Sequence, residues 1–373
     1  WAGSHMVSHM AAYNGAEWDT LGGGLQNPLD NRLVDVNVLT KGPGGMYAGG
    51  SFQATRYGPA LNVARWDGSS WHALGEGFAG SVYAILSSGT DMVVGGRSDP
   101  APSLGSGALP TGHAIGRWSG TTWNAYGAGL KGAVHDLAEF KGGLYAAGRF
   151  HIMPDGPECG LAKWDGLNWT AVPYAGTDTL PMDSVYALTV FKDRLYAMGR
   201  ETKWEYPWDE ALMAWDGATW ERVENISQGT DMVTDGKGLY IQCDVFDDRR
   251  DLGFVKAARF DGSNWILLGA DAAQSDIRSL ALHGEYLYLG GWLSKIGGVP
   301  GCWLARWNIQ TLVSVRPKRI VEARKGEKTV RYLLLGDAAS AGTDLYGLDG
   351  RKFRSTEEPA KHRLRAGPVV EVK

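Results

Sequence analysis

The stretch Ala64-Arg65-Trp66-Asp67-Gly68-Ser69-Ser70-Trp71 decides the fold, because it recurs along the chain. Close copies occupy residues 116–123, 162–169, 213–220 and 258–265, with a degraded copy at 12–18 and a broken one at 305–308. The first aromatic residues of these copies lie at positions 13, 66, 118, 164, 215, 260 and 307. These seven aromatic positions therefore enclose six repeats of 45 to 53 residues. A repeat of this length is typical of a propeller blade and longer than a β-solenoid coil.

A second signature, Met46-Tyr47-Ala48-Gly49-Gly50, runs in phase with the first and also occurs six times. Each repeat predicts four short strands: an apolar alternation such as 185–190, the Leu-Tyr-x-x-Gly segment, the Ala-Arg-Trp segment and the Trp-x-x-Leu-Gly segment. Lys192-Asp193 marks a turn between the first two strands, and Asp-Gly a turn between the last two, since both residues tolerate positive φ. The pattern predicts an all-β fold, a six-bladed β-propeller over residues 11–311.

The two ends of the chain are predicted to differ from the repeats. Residues 1–10 contain Gly-Ser-His-Met and are interpreted as an expression-tag remnant. Residues 17–22 are expected to close the ring as the last strand of the sixth blade, and residues 310–315 are the alternative. Residues 312–373 carry 14 Lys+Arg against 8 Asp+Glu, and they predict a small β-sandwich-like C-terminal module.

Composition excludes several classes of protein. Glycine accounts for 53 of 373 residues and tryptophan for 16, as expected for many turns and aromatic packing. Charged residues make up 21% of the chain and the net charge is −4, which argues against a disordered chain and against a basic nucleic-acid binder. No apolar run is long enough for a transmembrane segment. The oligomeric state is not predicted by any of these features.

The repeats resemble those of bacterial extracellular β-propeller proteins with the pattern Ala-Arg/Lys-Trp-Asp-Gly-x-x-Trp-x-x-Leu-Gly. The segment Tyr346-Gly347-Leu348-Asp349-Gly350-Arg351 is similar to part of a type IX secretion sorting domain. The resemblance implies an extracellular or outer-membrane-surface location. It brings no agreed catalytic residues, so none is transferred to this chain.

Four tryptophans fall outside both repeat signatures and the tag remnant: Trp204, Trp208, Trp292 and Trp303. Residues 204–210 place three aromatic rings beside three carboxylates. Rings stack on sugar faces and carboxylates accept hydroxyl hydrogen bonds, so these tryptophans are candidate carbohydrate-binding residues. The alternative is a loop that folds over its own aromatic side chains.

Aligning the repeats gives a second set of candidates. The residue after the second signature is arginine in three consecutive repeats, and one position of the first strand carries a different polar residue in most repeats. We expect these side chains to line the channel mouth and to bind an acidic sugar, because arginine pairs with carboxylate or sulfate. The alternative is a water-filled channel lined by hydrogen-bonded polar groups. The residues are Arg97, Arg149, Arg200, Asn37, Tyr83, His135, Tyr186 and Arg278.

Three functions follow from these candidates. The first is a secreted or cell-surface propeller that binds a glycan. The second is an enzyme: a polysaccharide lyase would use His135 with Tyr83 or Tyr186 as base and acid, and a glycoside hydrolase would use two carboxylates from Glu205, Asp209, Glu210 and Asp244. The third is a protein-interaction scaffold without a small ligand.

Cofactors and cysteines give weaker signals. No cofactor is predicted, although Asp244, Asp247 and Asp248 form an acidic loop that is a candidate calcium site. The loop lacks the glycine and terminal glutamate of an EF-hand, which favours a solvated acidic loop. The three cysteines allow one disulfide bridge, Cys159 to Cys302. The alternative is that the thiols are free and partly buried.

Overall fold

The computed structural model describes most of the repeat region and short parts of the tail. The described residues are 9–13, 18–28, 34–97, 112–173, 182–201, 210–223, 227–245, 255–268, 276–296, 299–309, 317–325, 328–335, 345–346 and 352–353. The named elements of this part are all β-strands, numbered β1 to β32 in chain order. No helix among the described residues has the length and apolar character needed to cross a membrane.

Successive antiparallel sheets, called blades 1 to 6 here, follow one another along the chain. Blade 1 comprises β4 (Asp35–Gly42), β5 (Gly45–Ser51), β8 (Val63–Trp66) and β9 (Trp71–Ala73). Blade 2 comprises β10 (Val82–Ser88), β11 (Asp91–Gly96), β12 (Ile115–Trp118) and β13 (Trp123–Ala125). Blade 3 comprises β14 (Leu130–Phe140), β15 (Gly143–Ile152), β16 (Glu158–Trp164) and β17 (Trp169–Ala171).

The remaining blades continue the pattern. Blade 4 comprises β18 (Met182–Phe191), β19 (Arg194–Glu201), β20 (Glu210–Trp215) and β21 (Trp220–Val223). Blade 5 comprises β22 (Ser227–Thr234), β23 (Leu239–Val245), β24 (Val255–Phe260) and β25 (Trp265–Leu268). Blade 6 comprises β26 (Asp276–His283), β27 (Tyr286–Ile296) and β28 (Val299–Asn308).

The repeated four-stranded meander is the blade architecture of a β-propeller, which confirms the predicted fold class. Each predicted strand type is present at its expected position in the repeat. The chain divides into two compact units: one holds blades 1 to 3, the other holds blades 5 and 6, and the strands of blade 4 are divided between them. The count of six blades in a closed ring stays a prediction.

Short sheets accompany the blades at the chain ends and in one loop. β1 (Ala12–Tyr13) pairs with β2 (Trp18–Asp19), and β3 (Leu25–Gln26) pairs with β6 (Ala54–Thr55), which pairs with β7 (Gly58–Pro59). In the tail, β29 (Pro317–Lys325) pairs with β30 (Lys328–Leu335), and β31 (Leu345–Tyr346) pairs with β32 (Lys352–Phe353). Residues 310–315, the alternative closing strand, lie outside the described residues.

The tail hairpin adds to the sheet of blade 5. β30 pairs in parallel with β25, so β29 and β30 extend the sheet of blade 5 to six strands. The sequence predicted a separate small sandwich after residue 311. The outer strand of a blade presents unpaired backbone N–H and C=O groups, and a neighbouring strand satisfies them. The small β-sandwich-like module predicted over residues 312–373 stays a prediction, because most of that segment lies outside the described residues.

The hydrophobic core lies between facing sheets within each unit. In the first unit, one cluster combines Val63 and Tyr47 of blade 1 with Val82, Met92 and Val94 of blade 2. An equivalent cluster joins blades 2 and 3, and in the second unit another joins blades 5 and 6. The first glycine of the Gly-Gly signature serves this packing, because a Cβ at Gly95 would lie 2.6 Å from the Val134 side chain. The signature therefore sets how closely neighbouring blades approach.

The Asp-Gly turn is held by the aspartate side chain. Asp67 Oδ1 accepts the backbone N–H groups of Ser69 and Ser70 at 2.8 and 2.9 Å, and the equivalent aspartates of blades 3, 4 and 5 do the same. These backbone hydrogen bonds hold the pKa of Asp67 well below its ordinary value. Only the glycine takes a positive φ, 104° at Gly68. The expectation of positive φ at both residues is therefore wrong for the aspartate, whose side chain caps the turn instead.

The turn between the first two strands matches its prediction. Lys192 and Asp193 have φ values of 47° and 57°, as a two-residue hairpin turn with both residues in the left-handed region requires. The Lys192 side chain donates a hydrogen bond of 2.6 Å to the Asp261 carbonyl in the Asp-Gly turn of blade 5. Lys141 makes the same bond to the Asp216 carbonyl. A lysine at this turn thus links one blade to the next.

The repeat tryptophans pack in pairs and link neighbouring blades. The two rings of each signature lie close together, with centroids 5.5 Å apart for Trp66 and Trp71 and 5.4 Å apart for the pair in blade 2. The indole N–H of Trp123 donates to the Leu74 carbonyl at 2.8 Å, and that of Trp71 donates to the Leu21 carbonyl at 3.0 Å. The Trp-x-x-Leu segment of one repeat therefore accepts a hydrogen bond from the next repeat. Leu21 shows that the N-terminal segment packs against blade 1 in this way.

Candidate functional site

A β-bulge positions one residue of the first strand in several blades. The register between the first two strands skips one residue between Val36 and Val38, Val82 and Ala84, Val134 and Asp136, and Ile277 and Ser279. A bulge leaves the extra residue unpaired and redirects its side chain. The bulged residues are Asn37, Tyr83, His135 and Arg278, the position at which the sequence alignment found polar residues that differ between repeats.

The last glycine of the second signature lies opposite the bulge in blades 1, 2, 3 and 6. A Cβ at Gly50 would lie 1.9 Å from the Asp35 carbonyl oxygen, and one at Gly148 would lie 2.0 Å from the Ala133 carbonyl oxygen. The equivalent contacts at Gly96 and Gly199 would be 2.3 and 2.1 Å. The backbone of the first strand approaches the second too closely for any side chain here, so the glycine permits the bulge.

These features create a pocket at one end of blades 2, 3 and 4. The cavity measures about 810 Å³, within the size range of small-molecule binding pockets. Every lining residue belongs to the first compact unit. The lining comprises Tyr83, Arg97, Lys131, Gly132, Ala133, His135, Arg149, His151, Met153, Pro154, Gly156, Ser184, Tyr186 and Arg200. Six of the residues singled out in the sequence are thus brought together.

Three rings form a continuous cluster in the pocket. Tyr83 contacts His135 edge to face, with centroids 5.8 Å apart and planes at 69°. His135 in turn stacks with Tyr186, with centroids 6.0 Å apart and planes at 29°. All three rings are half-buried, so each leaves part of its surface to the cavity. The cluster offers the flat, partly polar lining on which a sugar ring packs.

The protonation of His135 follows from its partner. Its Nδ1 lies 3.3 Å from the Val185 carbonyl oxygen, which only accepts hydrogen bonds, so Nδ1 carries the proton. Burial lowers the pKa of His135 from its ordinary value, and the hydrogen bond to Val185 offsets only part of this effect. Neutral His135 therefore keeps its lone pair on Nε2. That nitrogen is available to accept a hydrogen bond or a proton from a ligand.

Cationic side chains surround the rings. Among the described residues that line the cavity, four are cationic and none carries a carboxylate: Arg97, Lys131, Arg149 and Arg200. Two arginines are oriented by carboxylates beside the pocket. Arg200 forms a bidentate pair with Asp183 at 2.9 and 2.7 Å, and Arg149 Nε bonds to Glu158 Oε1 at 2.9 Å. The pocket is therefore suited to anionic ligands.

Two predicted ligand-binding residues with described side chains, Asn37 and Arg278, lie outside the pocket, as does the hydrolase candidate Glu210. The Asn37 side chain donates a 2.9 Å hydrogen bond to the Val82 carbonyl, so it links blade 1 to blade 2. Arg278 is exposed on the bulge of blade 6, in the second unit. Neither lines this cavity, and a channel mouth lined by all of these residues stays a prediction.

Other predicted residues cannot be placed at a site. Trp204 and Trp208, with Glu205 and Asp209, lie outside the described residues, as do Asp247 and Asp248. Trp292, Trp303 and Asp244 lie in β27, β28 and β23, but their side chains are outside the described part. The tryptophan hypothesis and the calcium hypothesis therefore stay predictions. Within the described residues, no group of three or more histidine, cysteine or carboxylate side chains is arranged to hold a metal ion.

Lys131, His151 and Ser184 are pocket residues that the sequence reasoning missed. Lys131 and His151 face each other across β14 and β15, in a part of blade 3 that extends beyond the repeat. The alternation along 130–134 carried the signal, because residues two apart on a strand share a face. Following the strand alternation two residues outward from Ala133 and Arg149 would have found both, although they lie beyond the repeat alignment.

Cys159 and Cys243 are both buried, and Cys159 carries a free thiol. The possible bridge from Cys159 to Cys302 is therefore not formed in this structure. Burial raises the pKa of the Cys159 thiol to about 12.

We expect Cys159 to resist alkylation in the folded protein, because its thiol is inaccessible and only a minute fraction is ionised at neutral pH. Treatment with iodoacetamide followed by peptide mass spectrometry should find Cys159 unmodified, whereas the same treatment in denaturant should modify it. Rapid modification of Cys159 under native conditions would contradict the burial described here.

Comparisons with known proteins give weak structural likenesses. No family model matches the chain, and no curated protein matches it. The computationally designed Ika8 protein is 12% identical with a TM-score of 0.44, over 80% of each chain. The GH74 xyloglucanase from Xanthomonas campestris is 13% identical with a TM-score of 0.46, and an ancestral GH74 enzyme is 13% identical with a TM-score of 0.42.

Coverage of the two GH74 proteins is unequal. The matches span 83% and 91% of this chain but only 48% and 44% of the GH74 chains, so this chain spans less than half of each. TM-scores below 0.5 assign neither activity nor ligand to this chain.

Proposed function

We propose that this protein is a secreted or cell-surface propeller that binds an acidic carbohydrate in the pocket of blades 2 to 4. The observation that carries the proposal is the convergence of three contacting rings and four cationic side chains on one cavity of about 810 Å³. Rings bind the apolar face of a sugar, and guanidinium groups bind its acid group. The resemblance to extracellular propellers supports the location.

The polar groups match the needs of such a ligand. The Nε2 atom of His135 accepts a hydrogen bond from a hydroxyl, and the Tyr83 and Tyr186 hydroxyls both donate and accept. Asp183 fixes the Arg200 guanidinium by two bonds, so less side-chain entropy is lost when a ligand binds. Four cationic side chains line the cavity and no carboxylate does, which favours acidic over neutral carbohydrates.

A glycan panel tests the proposal directly. Uronic acid oligosaccharides, sulfated oligosaccharides and neutral oligosaccharides would be titrated calorimetrically, with and without calcium. We expect the acidic ligands to bind with micromolar to millimolar affinity, the neutral ones to bind much more weakly, and added salt to weaken binding. Absence of binding to every acidic glycan would contradict the proposal and favour a protein-interaction scaffold.

The state of His135 favours one second function, a uronate lyase. Nε2 of His135 would take the proton at C5 of the sugar, the electron pair would form the C4–C5 double bond, and the C4–O bond would break. A tyrosine hydroxyl, from Tyr83 or Tyr186, would protonate the leaving oxygen, and an arginine would neutralise the carboxylate. Ultraviolet absorbance of the unsaturated product in the same titrations distinguishes the lyase from a binding protein.

A further inference from the structure

The pocket contains a row of three residues across neighbouring strands. Ala133 of β14 pairs with Arg149 of β15, and on its other side it forms an isolated antiparallel bridge with Arg97, which directly follows β11. Residues paired in this way share one face of a sheet. Neighbouring strands lie about 4.8 Å apart, so the Cα atoms of the two arginines are separated by roughly 10 Å across the alanine.

The residue between the arginines is small. Ala133 is half-buried and lines the cavity, and Gly132 beside it also carries no bulk. Both arginines are exposed, with long side chains that can converge above the methyl group of Ala133. The row therefore has a depression in the middle and a cation on each side.

The pairing of Arg149 leaves part of its guanidinium for a ligand. Glu158 engages the Nε atom, while the two terminal nitrogens provide further N–H donors. Lys131 and His151 form the next row on the same face, because each lies two residues from Ala133 or Arg149. This row adds a positive side chain on the side of the depression away from His135.

We propose that the ligand's acid group binds in the depression above Ala133, called the seat here, with Arg97 and Arg149 binding that group from opposite sides. The inference rests on the proposed function and adds the place and the chemistry of recognition. A carboxylate has two oxygens with about four acceptor positions, so it can accept N–H groups from both arginines at once. A sulfate ester offers the same chemistry with three oxygens, and the test distinguishes the two sources.

Filling the seat tests the inference without removing a charge. A133V adds two methyl groups above the strand at a position where β-branched residues are favoured. We expect it to weaken binding of an acidic oligosaccharide roughly tenfold to hundredfold, as expected when charge-assisted hydrogen bonds are lost. The control A73V adds the same two methyl groups at an exposed strand position of blade 1 that does not line the cavity, so its affinity should change less than about threefold.

A second variant guards against a folding defect in the first. A133D places a carboxylate in the seat, where Arg97 and Arg149 would pair with it and stabilise the fold. We expect it to abolish binding while the melting temperature is kept or raised. A uronic acid oligosaccharide and a sulfated neutral oligosaccharide serve as the two ligands, and the one more strongly affected identifies the acid group that occupies the seat.

The outcomes separate the inference from the proposed function. Wild-type protein that binds no acidic probe overturns the proposed function and the seat together. Wild-type binding combined with unchanged affinity in A133V and A133D overturns the seat alone. Loss of affinity in both variants, with A73V unaffected, supports the seat.

Discussion

Gly148→Ala should lower the free energy of unfolding by about 3 kcal/mol, one of the largest effects expected for adding a single methyl group to this protein. The new Cβ would lie 2.0 Å from the Ala133 carbonyl oxygen and 3.0 Å from the Val134 Cα. Both atoms belong to the backbone of β14, which cannot yield as a flexible side chain does. Chemical denaturation followed by circular dichroism measures the change.

The chain offers a matched control in the same signature. Gly290, the first glycine of the Gly-Gly pair in blade 6, has no atom nearer than 3.9 Å to a built Cβ, the closest being Ser279. Gly290→Ala should therefore change the free energy of unfolding by less than about 0.5 kcal/mol. Equal destabilisation by both substitutions would show that close backbone approach at the bulge is not what selects glycine at position 148.

Gly148→Ala should also affect ligand binding in the pocket. Gly148 precedes Arg149 and lies opposite Val134, which is followed by the bulged His135. Pushing β14 away from β15 would shift the imidazole and the guanidinium relative to each other. Binding should weaken more in Gly148→Ala than its lower stability alone would explain, as seen by titration well below the melting temperature.

The blades could be predicted from the sequence because each repeat carries the same local signals for strands and turns. Strand, turn and aromatic positions agree in all the close copies, so errors in one copy are corrected by the others. Lys192-Asp193 illustrates this: the pair was predicted to lie in a turn, and both residues adopt left-handed φ there. The aspartate of the Asp-Gly turn shows the limit, since composition does not say whether a residue acts by φ or by its side chain.

The site could be predicted only where it coincides with the repeat. Tyr83, His135 and Tyr186 were found because they occupy one aligned position, and the arginines because they follow one aligned signature. The bulge at Tyr83 and at His135 has no sequence signal of its own except the last glycine of the second signature, whose need for close approach is visible only in three dimensions. Lys131 and His151 lie where blade 3 departs from the repeat, so alignment could not reach them.

Asn37 shows why an aligned position does not guarantee a shared role. It occupies the same bulge as His135, yet its side chain donates to the Val82 carbonyl of the next blade. His135 makes the equivalent contact with Val185 through Nδ1, and its larger ring still reaches the cavity. The short Asn37 amide makes the link between blades and does not reach the cavity, whereas the His135 imidazole has a second nitrogen available for a ligand.

Removing two pocket arginines, in the double variant Arg97→Gln and Arg149→Gln, should weaken binding of an acidic oligosaccharide roughly hundredfold or more. Each arginine supplies a charge-assisted hydrogen bond, and such bonds contribute about 1.5 to 3 kcal/mol. Because both side chains are exposed, we expect the loss of binding free energy to lie at the lower end of the sum of the two hydrogen-bond contributions. The substitution at position 149 also leaves the Glu158 carboxylate without this arginine, so its charge would repel an anionic ligand.

Arg117→Gln combined with Arg194→Gln is the matched control, because it removes the same net charge outside the pocket. Arg117 pairs with Asp91 at 3.4 Å and Arg194 with Glu221 at 2.7 Å, and all four side chains are partly exposed. Calorimetric titration at several salt concentrations should show a normal affinity for the control and a shallower salt dependence for the pocket variant, since fewer charges then contact the ligand. Equal loss in both variants would mean that the ligand responds to the overall charge of the protein, and the assignment of the pocket as the acidic-carbohydrate site would then fail.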